Sequence, residues 1–314
     1  MSQQSPAGAR ICVVGSANMD LIARVPRLPR LGETLIGHSF RASYGGKGAN
    51  QAVMAARLGA RVSMVARLGR DVFGEDMLRN YQSQGIDTRF VSFDAQASTG
   101  VAPILVDDRA DNCIVVVPGA NAALSPGDAR AARSAIEGAH VLVCQLETPV
   151  ETTLEAFGIA KAAGVTTILN PAPAAPLPGA LLELTDLLAP NETEAELLTG
   201  LPAGSPAEAE QAARALSARG PRTVIVTLGE RGLVCLHRGV AEHVPARRVE
   251  AVDPTGAGDA FIGALAVFLA EGLDLPAGVR RAGVAASLSV TRPGAQASFP
   301  DRAEVEAACA ADGL

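Results

Sequence analysis

Along this chain, short apolar runs alternate with longer stretches in which apolar residues recur every three or four positions. The run Ile11-Cys12-Val13-Val14-Gly15-Ser16 ends in small residues and shows no polar face, as expected of a parallel strand covered on both sides. Positions 48–58 carry helical spacing through Ala49, Ala52, Val53 and Ala56 and stop at Gly59. A strand over 62–68 and an amphipathic helix over 72–84, closed by Gly85, come next. From Pro126 the alternation is regular, beginning with a helix that ends near Gly138. Strands are predicted at 141–145, 165–169, 187–189 and 224–228, with helices at 150–163 and 208–219. Two strand-like pieces, 232–236 and 240–244, precede helices near 256–271, 276–290 and 301–310.

Such alternation predicts an α/β fold: a doubly wound, mainly parallel sheet with helices on both faces and ligands in the crevice beyond the strand C-termini. Polar clusters fall at those ends: Gln145-Leu146-Glu147, Asn170, Asn191 to Glu194, and Thr227-Leu228-Gly229. Two regions break the pattern. Leu21-Ile22-Ala23, a turn with Pro26 and Pro29, and the segment 33–44 read as two partly exposed strands. The apolar runs 100–106 and 113–117 flank Asp107-Asp108-Arg109-Ala110-Asp111-Asn112, a hairpin signature. Together these regions are expected to form one small β lid, the alternative being two unrelated surface hairpins. The expected division is a lid of 18–44 and 98–118, a core of 10–17, 45–97 and 119–314, and a flexible lead-in over 1–9.

Chemistry concentrates in Asp253-Pro254-Thr255-Gly256-Ala257-Gly258-Asp259, which opens directly into the apolar run Ala260-Phe261-Ile262-Gly263-Ala264-Leu265. A glycine-rich turn entering a helix leaves backbone N–H groups unpaired, and together with the helix dipole they form a site for an anion. A carboxylate at that place is suited to accept a proton beside a phosphate. Gly256, Ala257 and Gly258 are therefore the expected anion hole and Asp259 the expected general base of a phosphoryl transfer. The structural alternative is a capped helix start whose aspartate satisfies the dipole.

The composition fits an ordinary folded protein. The chain has 314 residues, of which 48% are hydrophobic and 19% charged, and no Trp. A net charge of -6 argues against a nucleic-acid or membrane-surface partner, and no stretch approaches the ~18 apolar residues a membrane span requires. The five cysteines are far apart; Cys12, Cys144 and Cys235 sit in strand-like runs and read as buried free thiols, which suits a reducing cytoplasm. The four histidines show no zinc spacing.

Two nucleotide motifs are excluded. Gly45-Gly46-Lys47-Gly48 lacks both the spacing and the hydroxyl of a P-loop, and Gly15-Ser16-Ala17-Asn18-Met19-Asp20 lacks the dinucleotide glycines. What remains are carboxylates and amides suited to a polyhydroxy ligand: Asn18 and Asp20 after the first strand, and Asn50 in the helix behind Gly-Gly-Lys-Gly.

A longer set of motifs begins with Asn18-x-Asp20, Pro29 to Gly37, Gly45-Gly46-Lys47-Gly48-Ala49-Asn50-Gln51-Ala52, Ser98-Thr99-Gly100 and Gly119-Ala120-Asn121-Ala122-Ala123-Leu124-Ser125-Pro126. It continues through Gln145-Leu146-Glu147, Asn170-Pro171-Ala172-Pro173-Ala174, Pro190-Asn191-Glu192-Thr193-Glu194-Ala195-Glu196, Thr227-Leu228-Gly229, the 253–259 segment and Arg292-Pro293-Gly294-Ala295-Gln296. In these motifs, over about 11–308, the chain resembles the ribokinase (phosphofructokinase-B type) sugar kinase family. The resemblance implies an enzyme that phosphorylates D-ribose at O5 with ATP, giving ribose 5-phosphate and ADP. It implies sugar contacts from Asn18, Asp20, Gly46, Lys47, Asn50, Glu147 and the base Asp259. Asn191, Thr227, Gly229, Gly258 and Gly283 would lie along ATP, and Asn191 with Glu194 would organise Mg²⁺ through water. Asp253, Thr255, Gly294 and Ser298 would hold K⁺, and paired lids would make a homodimer. Pro254 stands where the family often has Thr, Gly283 where a larger side chain often flanks adenine, and Ala297 where Pro is common. Rival readings are a sibling kinase for 2-deoxyribose, fructose or a nucleoside, a non-catalytic sugar-binding protein on the same fold, and a nicotinamide oxidoreductase.

Overall fold

A computed structural model describes residues 8–109 and 111–314, so most of the expected flexible lead-in, and Ala110 of the expected hairpin turn, lie outside the described residues. Strands β1 (Arg10–Val14), β4 (Arg61–Gly69), β5 (Asp87–Asp94), β8 (Val141–Cys144), β9 (Thr166–Leu169), β10 (Leu187–Leu188), β11 (Thr223–Thr227), β12 (Leu233–His237) and β13 (Val240–Val244) make one sheet. Its order is β13-β12-β11-β10-β9-β8-β1-β4-β5. Pairing is parallel from β11 to β5, and antiparallel only where β12 and β13 fold back at one edge. The remaining strands, β2 (Asn18–Arg24), β3 (Ser39–Gly45), β6 (Gly100–Val106) and β7 (Asn112–Ile114), form a separate sheet in the order β3-β2-β6-β7.

Side chains along the central strands alternate between two cores, which is why those strands lack a polar face. Ile11 and Val13 of β1 face one core, while Cys12 and Val14 face the other. The first core is roofed by α1 (Lys47–Arg57), α2 (Val72–Ser83), α9 (Ala257–Ala270), α10 (Leu275–Ser289) and α11 (Arg302–Ala311). The second is covered by α3 (Pro126–Ala131), α4 (Arg133–Gly138), α5 (Val150–Ala162), α6 (Gly179–Glu183), α7 (Glu192–Thr199) and α8 (Pro206–Ser217). Among the described residues no helix is long and apolar enough to cross a membrane. Cys12, Cys144 and Cys235 are buried and unpaired, and Cys113 is exposed on β7.

Helix α9 is buried almost all round, as its unbroken apolar run implies. It approaches α1 closely because Gly263 has no side chain: a Cβ there would lie 2.6 Å from the Gln51 carbonyl oxygen. That approach sets the first turn of α9 against the polar start of α1.

Several elements differ from expectation. The sequence pattern does not announce β5, since Asp87-Thr88-Arg89-Phe90-Val91-Ser92-Phe93-Asp94 is an edge strand whose half-buried positions give no clean alternation. The segment predicted as a strand over 33–44 pairs only from Ser39, and the exposed positions before it, Ile36 among them, have no sheet to bury them. The predicted helix ending near Gly138 breaks at Ala132 into α3 and α4. Helix α7 shows in the sequence only as a polar cluster, although Asn191 and Glu194 form a capping box at its start.

Candidate active site

The cleft lies beyond the C-terminal ends of the parallel strands. Lys47, Asn170, Asn191, Glu194, Thr227 and residues 256–259 are among those lining it. Gly256, the N-cap of α9, has φ 80°, a left-handed conformation that glycine adopts without strain. Of the N–H groups named for the anion hole, that of Ala257 donates to the Pro254 carbonyl at 3.1 Å. Those of Gly256, Gly258 and Asp259 find no acceptor among the described residues. An oxyanion set at this helix start would meet free donors and the positive end of α9.

Asp259 is 7% exposed, and each of its oxygens accepts one amide hydrogen. Asn50 Nδ2 donates to Oδ2 at 2.9 Å and Gln51 Nε2 to Oδ1 at 2.9 Å. Burial pushes the Asp259 pKa up, opposed by the Lys47 ammonium and by those two amides. A base with a raised pKa and fixed donors is matched to receiving a proton from an alcohol as it reacts.

The other expected sugar contacts gather around one ammonium. Burial alone would lower the Lys47 pKa, but the facing carboxylates of Asp259, Glu147 and Glu194 outweigh it and leave it raised. Glu147 follows β8 and accepts from the backbone N–H of Lys47 at 3.0 Å and from the Ser16 hydroxyl. Gly46 is the N-cap of α1. Asn18 and Asp20 come from β2, so the small sheet reaches the same cluster. Asn121 Nδ2 holds the Asn18 oxygen at 2.7 Å. Burial, with Glu147 and Asp259 nearby, raises the Asp20 pKa to about 7.

Asn191 and Glu194 serve structure first: each side chain accepts the other's backbone N–H at 2.8 Å. That box aims the buried Glu194 carboxylate into the cleft, and a β-bridge sets Asn191 beside Thr227. Gly229 starts the turn after β11. Gly283 lies partly buried on α10 and is not among the residues that line this cleft.

Asp253 joins the two loops named for a monovalent cation. Its carboxylate accepts from Thr255 N at 3.0 Å and from Gly294 N at 2.8 Å. Burial would raise its pKa, but these donors prevail and hold it below the ordinary value. Ser298 is buried in the second loop with its hydroxyl donated to the Ala295 carbonyl.

Residue-by-residue sequence reasoning assigns no role to Gln51, Gln296 or Asn170, all of which belong to the amide network around the base. The signal for Gln51 is its place beside Asn50 in the motif running from Gly45 to Ala52; its partners, 94 to 208 positions away in sequence, are invisible before folding.

Known sugar kinases are similar to this chain over nearly its whole length. A ribokinase from Mus musculus is 43% identical over 302 residues, covering 95% of this chain and 94% of that protein. A deoxyribokinase from Salmonella typhi is 42% identical over 297 residues, covering 92% and 95%. The solved structure of Arabidopsis thaliana ribokinase complexed with ribose and ATP superposes with a TM-score of 0.89 at 33% identity, covering 96% of this chain and 98% of that one. Residues 9–302 match the profile of the pfkB family carbohydrate kinases, and the chain belongs to that family.

Proposed function

We propose that this kinase transfers the γ-phosphoryl group of ATP to O5 of D-ribose, giving ribose 5-phosphate and ADP. The observation that carries the reading is the buried Asp259 carboxylate at a helix start where the N–H groups of Gly256, Gly258 and Asp259 find no acceptor among the described residues. Phosphoryl transfer asks mainly for in-line positioning and charge neutralisation. In this reading Asp259 takes the proton of the sugar's terminal hydroxyl as its oxygen bonds to phosphorus. The N–H groups of Gly256, Gly258 and Asp259 receive the charge that builds on the phosphoryl oxygens. Asn18, Asp20, Gly46, Lys47, Asn50 and Glu147 hold the remaining hydroxyls, and Thr227 and Gly229 lie along the nucleotide. The similar ribokinase of Arabidopsis thaliana is complexed with the same pair, ribose and ATP.

The residues present fit two cations. Glu194 presents a buried carboxylate to the cleft with one oxygen tied to Asn191, which suits a hydrated Mg²⁺ held by Asn191 and Glu194. Mg²⁺ there would neutralise phosphate charge. Asp253, Thr255, Gly294 and Ser298 offer oxygen donors on two loops already joined by Asp253, suiting K⁺, which would stiffen the loop that leads into the anion hole. The small sheet acts as a lid that excludes water from the reacting phosphate. Its exposed Phe40 and Ile114 support pairing of two lids in a homodimer. A cytoplasmic location accords with the free thiols.

Deoxyribose is the second reading, favoured by the similarity to the Salmonella typhi deoxyribokinase. Asp20 separates the two, because a half-buried carboxylate left without a 2-hydroxyl partner penalises the deoxy sugar. The test is ADP release measured over pentoses, hexoses and nucleosides with Mg-ATP and K⁺. D-ribose is expected to give the highest kcat/KM; an equal or higher value on deoxyribose would overturn the ribose assignment, and sugar binding without ADP release would overturn catalysis.

A further inference from the structure

Two lines of amide side chains end on the two oxygens of Asp259. In the first, Asn80 Nδ2 on α2 donates to Gln296 Oε1 at 2.9 Å, and Gln296 Nε2 donates to Asn50 Oδ1 at 3.0 Å. Asn50 Nδ2 then donates to Asp259 Oδ2. In the second, Gln145 Nε2 donates to Gln51 Oε1 at 2.6 Å, and Gln51 Nε2 donates both to Asp259 Oδ1 and to Asn170 Oδ1 at 3.1 Å. Asn170 Nδ2 is anchored on the Ala189 carbonyl at 2.9 Å.

A lone amide can turn either end to a carboxylate, and only the N–H₂ end attracts it. On the second line a backbone anchor removes that choice. The Ala189 carbonyl can only accept, so Asn170 must turn its oxygen to Gln51, and Gln51 must answer with Nε2. Its oxygen is taken by Gln145, which keeps the second Nε2 hydrogen on Asp259. On the other line, Gln296 donates to the Asn50 oxygen and so commits Asn50 to offer nitrogen to the base. Gln51 and Gln145 are fully buried, and Asn50 and Gln296 are 6% and 5% exposed, so water does not compete for these groups.

We propose that Gln51 and Gln296 are positioning residues for phosphoryl transfer, locking the amides so that N–H donors face both oxygens of Asp259 and hold it in one rotamer with its free lone pairs left for the substrate hydroxyl. The inference rests on the reading of Asp259 as general base. Gln51 acts directly on the carboxylate and Gln296 acts through Asn50. Lys47 on α1, Glu147 after β8, Glu194 on α7 and Asp20 on β2 bear charge on the same carboxylate or its neighbours. None of these changes in the variants below.

The experiment measures the single-turnover rate of D-ribose phosphorylation at saturating ribose and Mg-ATP across pH for the full-length enzyme, Gln51→Met, Gln296→Met and Asp259→Asn. Losing an N–H donor disfavours the ionised carboxylate, so the acidic limb moves to higher pH. A shift of about one pH unit is expected for Gln51→Met and a smaller one for Gln296→Met, with ribose affinity changed by less than about threefold. Acidic limbs that stay in place in both variants, or losses confined to ribose affinity, would overturn the proposal. If one variant fails to fold, as judged by its thermal melt, the other carries the same test. Asp259→Asn separates the two ideas. An inactive Asp259→Asn beside unmoved limbs overturns the amide lines alone, whereas turnover retained in Asp259→Asn overturns the base reading and the amide lines with it.

Discussion

Thr99 is bound to Asp71 through both its backbone N–H, at 2.7 Å, and its hydroxyl, at 2.7 Å. Asp71 is also the N-cap of α2, accepting from Gly74 N at 2.8 Å. One carboxylate therefore fastens a helix of the core to the residue that leads into β6 of the small sheet. Asp71→Ala removes the cap and strands the buried Thr99 donors, a cost of about 2–3 kcal/mol. Urea unfolding would read it; a loss under ~0.5 kcal/mol would show that the junction contributes nothing. These hydrogen bonds outweigh burial and hold the Asp71 pKa below its ordinary value. Its contribution is thus present above an unfolded pKa near ~3.9 and is lost as pH falls through the folded value.

Asp20 runs the other way. Its folded pKa of about 7 lies above the unfolded value near ~3.9. Its favourable contribution is complete below that unfolded value and is lost as pH rises through about 7. Asp20→Asn is therefore expected to melt at a higher temperature than wild type at about pH 8 and at the same temperature near pH ~4, while its KM for ribose rises at least ~10-fold. Identical melting differences at the two pH values would refute the assignment.

Asp259→Asn is expected to lower turnover by about 10³-fold or more while ribose still protects the protein against heat. Both readouts matter, since a variant that loses binding as well would point to a contact role instead. Near-normal turnover would remove the base.

Gly263→Ala tests the helix contact behind the site. Its Cβ would lie 2.6 Å from the Gln51 carbonyl, so α9 and α1 must separate, at about 1–3 kcal/mol. Because Gln51 and Asp259 belong to those helices, turnover should fall together with stability. A stable, fully active variant would mean that the spacing is not needed.

Phe40→Glu places a charge on the exposed face of the small sheet, where Phe40 is 67% exposed. If lids pair, sedimentation should change from dimer to monomer with the melting temperature altered by only a few degrees. A wild type that already sediments as a monomer at micromolar concentration would end the pairing proposal.

How much is legible before folding follows from the range of each interaction. Buried strands such as β1 and β8 are continuous apolar runs because both faces are covered, and that burden is written locally. The turn before α9 is equally local, since glycine at φ 80° and an apolar run behind it need no distant partner to be read. β5 is invisible because it borrows its pairing from β4 and is only half buried. The capping box of α7 is visible as residues, but the same polar types suit a ligand site, so their spacing alone does not reveal the helix they start.

By itself, then, the order of residues determined the α/β alternation, the glycine turn at Gly256, and the aspartate that closes that turn at position 259. Only the tertiary structure decided what surrounds that aspartate. Asn50 and Gln51 reach it across 209 and 208 positions, and Gln296 reaches Asn50 across 246. Hydrogen bonds between side chains so far apart arise from helix packing at Gly263 and from loops meeting at Asp253. No pattern confined to neighbouring residues encodes which end of an amide will face a carboxylate.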